Sequence, residues 1–261
     1  MSYTMSTIEP WIKIGSECNK AREVLLRNRS RIHKAIESGD VNRTAAKLLR
    51  RIFRNLTAIL QLVMVSRSHD GSILFKLPIG LLVRNCLMDG IIGLRIVKMS
   101  DEDCRSLLDL WNRDYVAAMY EQKDVYKDKL GEFNCNDEEI MHFFVLALED
   151  AFFTELDFNR GYDVELGSWK VRSRRDVYEG YKACDGQLKS MKDDIVKDDE
   201  VGECVRIIYA YYKYFSQYEH YSDRGNGDAS APFGEDNIRF EKVFTRLRWC
   251  LELIIKNLDK D

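Results

Sequence analysis

Proton-transfer chemistry is available to one segment of the chain, Val205 to Ser222 (VRIIYAYYKYFSQYEHYS). In a helix, Tyr212, Ser216 and either Glu219 or His220 fall on one face, because they are three or four residues apart. The His220 imidazole could then hydrogen-bond the Ser216 hydroxyl or a nearby carboxylate. Histidine is the side chain best suited to proton transfer near neutral pH. The same pattern also suits a structural helix, whose tyrosines pack and whose histidine lies near the helix C-terminus.

Anion binding is available to a second segment, Pro78 to Val97 (PIGLLVRNCLMDGIIGLRIV). At about 100° per residue its apolar side chains point in every direction, and such a helix is normally buried on all sides. Four polar residues interrupt it and are costly to bury without partners: Arg84, Asn85, Asp89 and Arg95. Arginine presents a fork that matches phosphate or carboxylate. Two interpretations stay open: a structural ion-pair network, or an anion-binding site.

Composition limits the classes of protein that remain. The 261 residues carry a net charge of -3, which gives no general attraction to nucleic acid, so such binding would need a local basic patch. The seven cysteines form no C-x-x-C pair and the four histidines are isolated, so we expect reduced thiols, no metal and no cofactor. The N-terminus lacks the pattern of a secretion signal. Arg84, Asp89 and Arg95 argue against a membrane span, and we expect a cytoplasmic protein without a membrane partner.

Long helices must position these residues, because three prolines and fifteen glycines are few for this length. We expect an all-α fold, a single domain over residues 1–261 with about seven to nine helices around a central buried helix at about 78–98. The expected helices cover residues 10–38, 41–68, 78–98, 100–130, 136–153, 174–196, 198–221 and 237–258. We expect a surface loop at 157–173 and a flexible segment at about 222–236.

Three of these helices carry specific signals. The S-x-x-D sequence of Ser100 and Asp103 is a capping signature. The 41–68 helix should bury Leu48, Leu49, Ile52, Leu56, Ile59, Leu60 and Val63, and expose Arg43, Lys47, Arg50, Arg51 and Arg54. The last helix should bury Phe240, Phe244, Leu247, Leu251 and Ile254.

The two polar segments resemble a group of uncharacterised bacterial helical proteins placed near the HEPN class (higher eukaryotes and prokaryotes nucleotide-binding). The resemblance covers roughly residues 75–225 and rests on Arg84 with Asp89 and on the run from Tyr212 to His220 (YKYFSQYEH). Here the acid follows the arginine by five residues, where the pattern has four. Many HEPN proteins are metal-independent ribonucleases with an R-x4-6-H motif, in which the arginine holds phosphate and the histidine assists proton transfer. A literal match, Arg27 to His33, lies in the first predicted helix.

Two functional hypotheses follow. In the first, the chain is a helical interaction or regulatory protein, with a bacterial defence or stress module as its setting and a protein or a second copy of the chain as its partner. In the second, it is a metal-independent HEPN-like ribonuclease or a nucleotide-binding protein. Arg84 would hold phosphate and His220, supported by Ser216 or Glu219, would act as acid or base. The remaining binding residues would be Asp89, Asn85, Tyr212, Glu219 and Arg95. The second hypothesis requires Arg84 and His220 to converge in one open pocket.

Overall fold

The computed structural model describes residues 4–68, 75–108, 199–216 and 236–258, together with the short pieces 162–163, 168–169, 188–189 and 192–193. Within these residues the backbone is almost entirely helical, which confirms the all-α prediction. The helices are α1 (Thr4–Arg27), α2 (Arg29–Ala35), α3 (Asp40–Ser68), α4 (Lys76–Ile96), α5 (residues 101–108), α6 (Glu200–Phe215) and α7 (Asp236–Asn257). Two short strands, β1 (Tyr162–Asp163) and β2 (Ser168–Trp169), pair antiparallel inside the stretch predicted as a loop.

The chain forms two compact units. The first contains residues 1–104 and 184–261, and the second contains residues 105–183. Most of the second unit lies outside the described residues, so the prediction of one domain over the whole chain stays a prediction. The helices predicted at 136–153 and 174–196, and the flexible segment at 222–236, also lie wholly or largely outside the described residues.

The first predicted helix, 10–38, is wrong at its start and in its middle. It begins at Thr4, so that Pro10 lies inside α1. It is interrupted at Asn28, whose backbone angles (φ -101°, ψ 13°) depart from helical values. The Asn28 side-chain amide donates to the carbonyl of Val24 at 2.8 Å. Because such a bond offers the backbone an alternative to the regular helix, the chain divides here into α1 and α2.

The other helices agree more closely with the sequence. The residues predicted to be inward on α3 are buried except Leu60, which is half-buried, and the whole predicted inner row of α7 is buried. The backbone N–H of Asp103 donates to Ser100 Oγ at 3.1 Å, which confirms the predicted cap of α5. The seventh predicted helix begins at Glu200 and is described as far as Phe215.

The α4 helix is the centre of the first unit, as predicted. It packs against α3, α6 and α7, while α1 packs against α3 and α7. Two glycines let α7 approach closely: a Cβ on Gly93 would lie 2.8 Å from Ile254 Cδ1, and one on Gly90 would lie 3.0 Å from Cys250 Sγ. Of the described helices, only α4 is long and apolar enough to cross a membrane, and 56% of its apolar window is buried inside the protein.

A side chain at Gly93 tests this close approach. We expect Gly93→Val to lower the free energy of unfolding by about 1–3 kcal/mol, because Ile254 must move inside a packed core. Leu77→Val is the control, since Leu77 is 41% exposed on the same helix and its change should cost less than about 0.5 kcal/mol. Urea unfolding measures both variants. Equal and small losses in the two would contradict the packing of α7 on α4.

The N-terminus of α6 gives a prediction with a defined pH dependence. Lys98 Nζ donates to Asp199 Oδ2 at 2.8 Å and the backbone N–H of Gly202 donates to Oδ1 at 2.6 Å, and both bonds lower the pKa of Asp199. This stabilisation is present above the ordinary pKa of an aspartate and is lost as the pH falls through the lowered one.

We therefore expect Asp199→Ala to cost about 1 kcal/mol at neutral pH, the usual value of an N-cap. The difference from the wild type should shrink in acid. Asp199→Asn keeps a capping oxygen without the charge, so it should recover most of the loss. A loss in Asp199→Ala that stays constant down to acid pH, measured by thermal unfolding, would contradict the proposed role of the carboxylate.

Candidate functional site

The polar residues of α4 divide between two faces of the helix. At about 100° per residue, Arg84 and Arg95 project within about 20° of each other, whereas Asp89 lies about 140° away from Arg84. The contacts follow this geometry. Asp89 faces α3 and Arg84 faces α6. The residues predicted to form one cluster therefore make separate contacts with two different helices.

Asp89 is fully buried and is paired with Arg51 of α3. Arg51 Nε donates to Asp89 Oδ2 at 2.6 Å, and Arg51 Nη2 donates to Oδ1, so the pair is bidentate. The Arg51 side chain is 54% exposed, while that of Asp89 has no exposed surface. Burial raises the pKa of Asp89 and outweighs the lowering by Arg51, and the hydrogen bond to Asp89 raises the pKa of Arg51. Both carboxylate oxygens are thus engaged inside the protein.

Arg84 contacts Tyr212 of α6. Its Nη2 donates to the Tyr212 hydroxyl at 3.5 Å, and its guanidinium carbon lies 5.4 Å from the centre of the ring. Tyr212 is fully buried and Arg84 is half-buried. An arginine over the face of a tyrosine is attracted to the ring electrons, and this contact strengthens when it is shielded from water. The contact links α4 to α6.

The proton-transfer residues are only partly within the described chain. Ser216 is buried at the C-terminal end of α6, where its hydroxyl donates to the carbonyl of Tyr212 at 2.8 Å. The Ser216 hydroxyl proton therefore takes part in a hydrogen bond to the helix backbone. Glu219 and His220 lie outside the described residues, so the convergence of His220 with Arg84 stays a prediction.

The remaining two binding residues of α4 make no polar contact with the described part of the chain. Asn85 and Arg95 are half-buried, and neither forms a hydrogen bond or an ion pair with another described residue. Neither of them joins the Arg84–Tyr212 contact. The sequence-predicted site thus contains one buried ion pair, one arginine–tyrosine contact and two side chains without a role in either.

A groove that the sequence analysis did not predict lies between α1, α2 and α3, with a volume of about 450 Å³. We call it the basic groove. Its floor is apolar and consists of Leu25, Leu26, Ile32, Leu49 and Phe53. Its rim is cationic or ionisable and consists of Arg29, His33, Arg50 and Arg54. The signal for it in the sequence was the row of basic residues on the 41–68 helix, which alone does not reveal a concave surface.

The structure places the two residues of the literal R-x5-H match, Arg27 and His33, in different surroundings. Arg27 forms an ion pair with Glu23 of its own helix at 3.0 Å, whereas His33 lines the basic groove. Arg31, between them, donates to the carbonyl of Leu258 at the end of α7 at 2.6 Å. It is Arg29, one helical turn before His33, that shares the groove with it. The motif therefore does not assemble its own arginine and histidine at this surface.

Metal and thiol chemistry find no support in the described residues. No group of three or more histidine, cysteine, aspartate or glutamate side chains in this part of the chain is placed to hold a metal ion. The described cysteines are buried free thiols: Cys18, Cys86, Cys104, Cys204 and Cys250. Burial raises the pKa of Cys86 and of Cys250, which keeps these thiols protonated near neutral pH. They act as packing groups.

The two side chains of the Asp89–Arg51 pair differ in burial, and this difference leads to a prediction. Arg51→Met leaves a buried carboxylate without its cation, so we expect a loss of about 3 kcal/mol in the free energy of unfolding at neutral pH. Asp89→Asn leaves a half-exposed arginine that water can solvate, and it should cost less than about 1.5 kcal/mol. Arg50→Met is the matched control on the exposed side of α3, with a change under about 0.5 kcal/mol.

The pH dependence of Arg51→Met follows from the same pair. Without Arg51, burial alone sets the pKa of Asp89 and raises it further. The deficit should be fully present above that pKa and should shrink as the pH falls through it, because a neutral carboxyl group needs no cation. Denaturant unfolding over a range of pH measures this. A deficit that does not change with pH, or a larger loss in Asp89→Asn than in Arg51→Met, would contradict it.

Comparison of the chain with protein-family models, with curated proteins and with solved structures finds no match. The resemblance to HEPN proteins therefore depends on the residues quoted for it, Arg84 with Asp89 and the Tyr212 to His220 run. In the structure Asp89 is paired with Arg51 and Arg84 is placed on Tyr212. The function has to be inferred from these contacts and from the surface of the molecule.

Proposed function

We propose that this chain is a helical interaction or regulatory protein, in which the polar residues of α4 stabilise the fold and binding takes place at the surface. The basic groove is the observation that carries the proposal. Arg29, Arg50 and Arg54 make no hydrogen bond or ion pair with any described residue. Asp89 and Arg51, by contrast, satisfy each other. On the basis of the resemblance we propose a cytoplasmic component of a bacterial defence or stress module.

The charge pattern of the groove supports a binding role because it is unfavourable for folding. Arg50 and Arg54 are four residues apart on α3, and like charges at that spacing repel each other on a helix surface. On α1 the exposed cations are paired instead: Lys13 with Glu9 at 2.9 Å, and Arg27 with Glu23 at 3.0 Å. A cluster of unbalanced cations next to an apolar floor is what an anionic, partly apolar partner would neutralise and cover.

One contact favours the HEPN-like ribonuclease or nucleotide-binding protein as a second candidate. Arg84 lies against Tyr212, which precedes His220 by eight residues in the segment that continues from α6. The guanidinium is half-buried against the ring, so a phosphate would have to approach it from its exposed side. This candidate requires His220 to reach the same side.

The two candidates are separated by one set of measurements. We expect no RNA degradation by the wild type, and none by His220→Ala or Arg84→Ala. The wild type should self-associate in size-exclusion chromatography or retain a protein partner in a pull-down. Arg67→Ala is the control, because Arg67 is exposed on α3 and belongs neither to the Arg84–Tyr212 contact nor to the basic groove.

RNA degradation by the wild type that is lost in both His220→Ala and Arg84→Ala, but kept in Arg67→Ala, would favour the ribonuclease. A strictly monomeric protein that retains no partner would contradict the interaction function.

A further inference from the structure

We propose that the basic groove binds a short acidic amphipathic helix of a protein partner, with the apolar side chains of that helix on the groove floor and its carboxylates on the arginines of the rim. The inference rests on the proposed interaction function and names the chemistry of the partner. Amphipathic helices bind apolar grooves through side chains spaced three or four residues apart.

The charge of the groove walls favours an anionic occupant. Three arginines line the groove, Arg29, Arg50 and Arg54, and no aspartate or glutamate is among the lining residues. None of the three arginines forms an ion pair with a described residue. The chain as a whole carries a net charge of -3, so this cationic surface is a local feature. Arginine forks at the rim can each bind a carboxylate in a bidentate manner.

Two partly exposed apolar residues of the groove, Leu26 and Phe53, favour an apolar occupant as well. Leu25, Ile32 and Leu49 are buried and close the bottom of the groove, while Leu26 is 40% exposed at its edge. A volume of about 450 Å³ lies within the range of pre-formed ligand pockets. Simple anions would use only the rim and leave Leu26 and the exposed part of Phe53 in contact with water. A peptide helix with leucine-like side chains between its acids would use both.

A protein segment fits this floor better than a nucleic acid. Single-stranded nucleic acids bind by stacking their bases on aromatic rings, in addition to phosphate contacts. The groove floor contains one aromatic ring, Phe53, and the guanidinium of Arg22 lies 5.9 Å from its centre. The other floor residues are aliphatic. Phosphates could contact the arginines, but the floor offers the bases only one ring on which to stack.

The test uses a fluorescein-labelled helical peptide with leucines at positions i, i+3, i+4 and i+7 and glutamates on both sides. Fluorescence anisotropy with the full chain should show saturable binding. Arg50→Glu combined with Arg54→Glu should weaken it at least roughly tenfold, because two carboxylate partners become repulsive. The matched control is Arg67→Glu combined with Arg246→Glu, which changes the net charge equally at exposed positions outside the groove and should alter binding less than about twofold.

The apolar contribution is tested separately. The same peptide with serine in place of leucine should bind at least roughly tenfold more weakly to the wild type, because the floor contacts are lost. Leu26→Ser should reduce the affinity for the leucine peptide and leave the serine peptide unaffected. Thermal unfolding of each variant checks that the fold is kept, which is expected because the substituted residues are exposed.

Several results would overturn the inference. These are no saturable binding by the wild type, equal weakening in the groove and control variants, or indifference to the loss of the leucines. Binding of a uridine oligonucleotide that depends on Arg50 and Arg54, without binding of the peptide, would make the groove a nucleic-acid surface instead. If the groove variant retains a partner as well as the wild type does, the groove inference fails and the interaction function stands. If the wild type retains nothing and stays monomeric, the interaction function itself fails.

Discussion

The carboxylate of Asp89 has no contact with water, and the helix that carries it can be buried only if another helix supplies a cation. Arg51 of α3 does so through two hydrogen bonds. Removing an ion from water costs more than a single pairing usually returns, so the pair contributes more to the choice of one arrangement than to total stability. If α3 slid along α4 or rotated against it, Arg51 would no longer reach the Asp89 carboxylate. The contact therefore favours one register between α3 and α4.

The position of α4 among α3, α6 and α7 has consequences at the surface. The arginine that satisfies Asp89 comes from the exposed side of α3, which also carries Arg50 and Arg54 to the rim of the basic groove. The α3 helix therefore supplies both the cation for a buried carboxylate and two arginines of the groove rim. The carboxylate is paired inside the protein. The groove arginines remain without an ion-pair partner among the described residues, which favours an anionic partner at the groove.

The sequence predicted the features that depend on local periodicity. The apolar character of α4 all round its axis predicted its burial, and the row from Phe240 to Ile254 predicted the inner face of α7. Each of these predictions needs only the rotation per residue of a helix.

Features that depend on how helices meet could not be predicted in this way. Arg51 was assigned to the exposed face of its helix, and it is exposed; its long side chain nevertheless reaches a buried carboxylate, as arginine stems often do. The basic groove is lined by residues on both sides of the break at Asn28, and this break has only a weak local signal in the sequence. The spacing of Arg27 and His33 along the sequence likewise did not reveal that Arg27 would pair with Glu23.

The most direct test of the central contact is the titration of the Asp89 carboxyl group, followed by carbon NMR in the wild type and in Arg51→Met. The structure predicts a pKa above the ordinary value of an aspartate in the wild type, because burial outweighs the arginine, and a still higher pKa once Arg51 is removed. An Asp89 pKa at the ordinary value in both proteins would mean that the carboxylate is solvated. That result would contradict the central position assigned to α4.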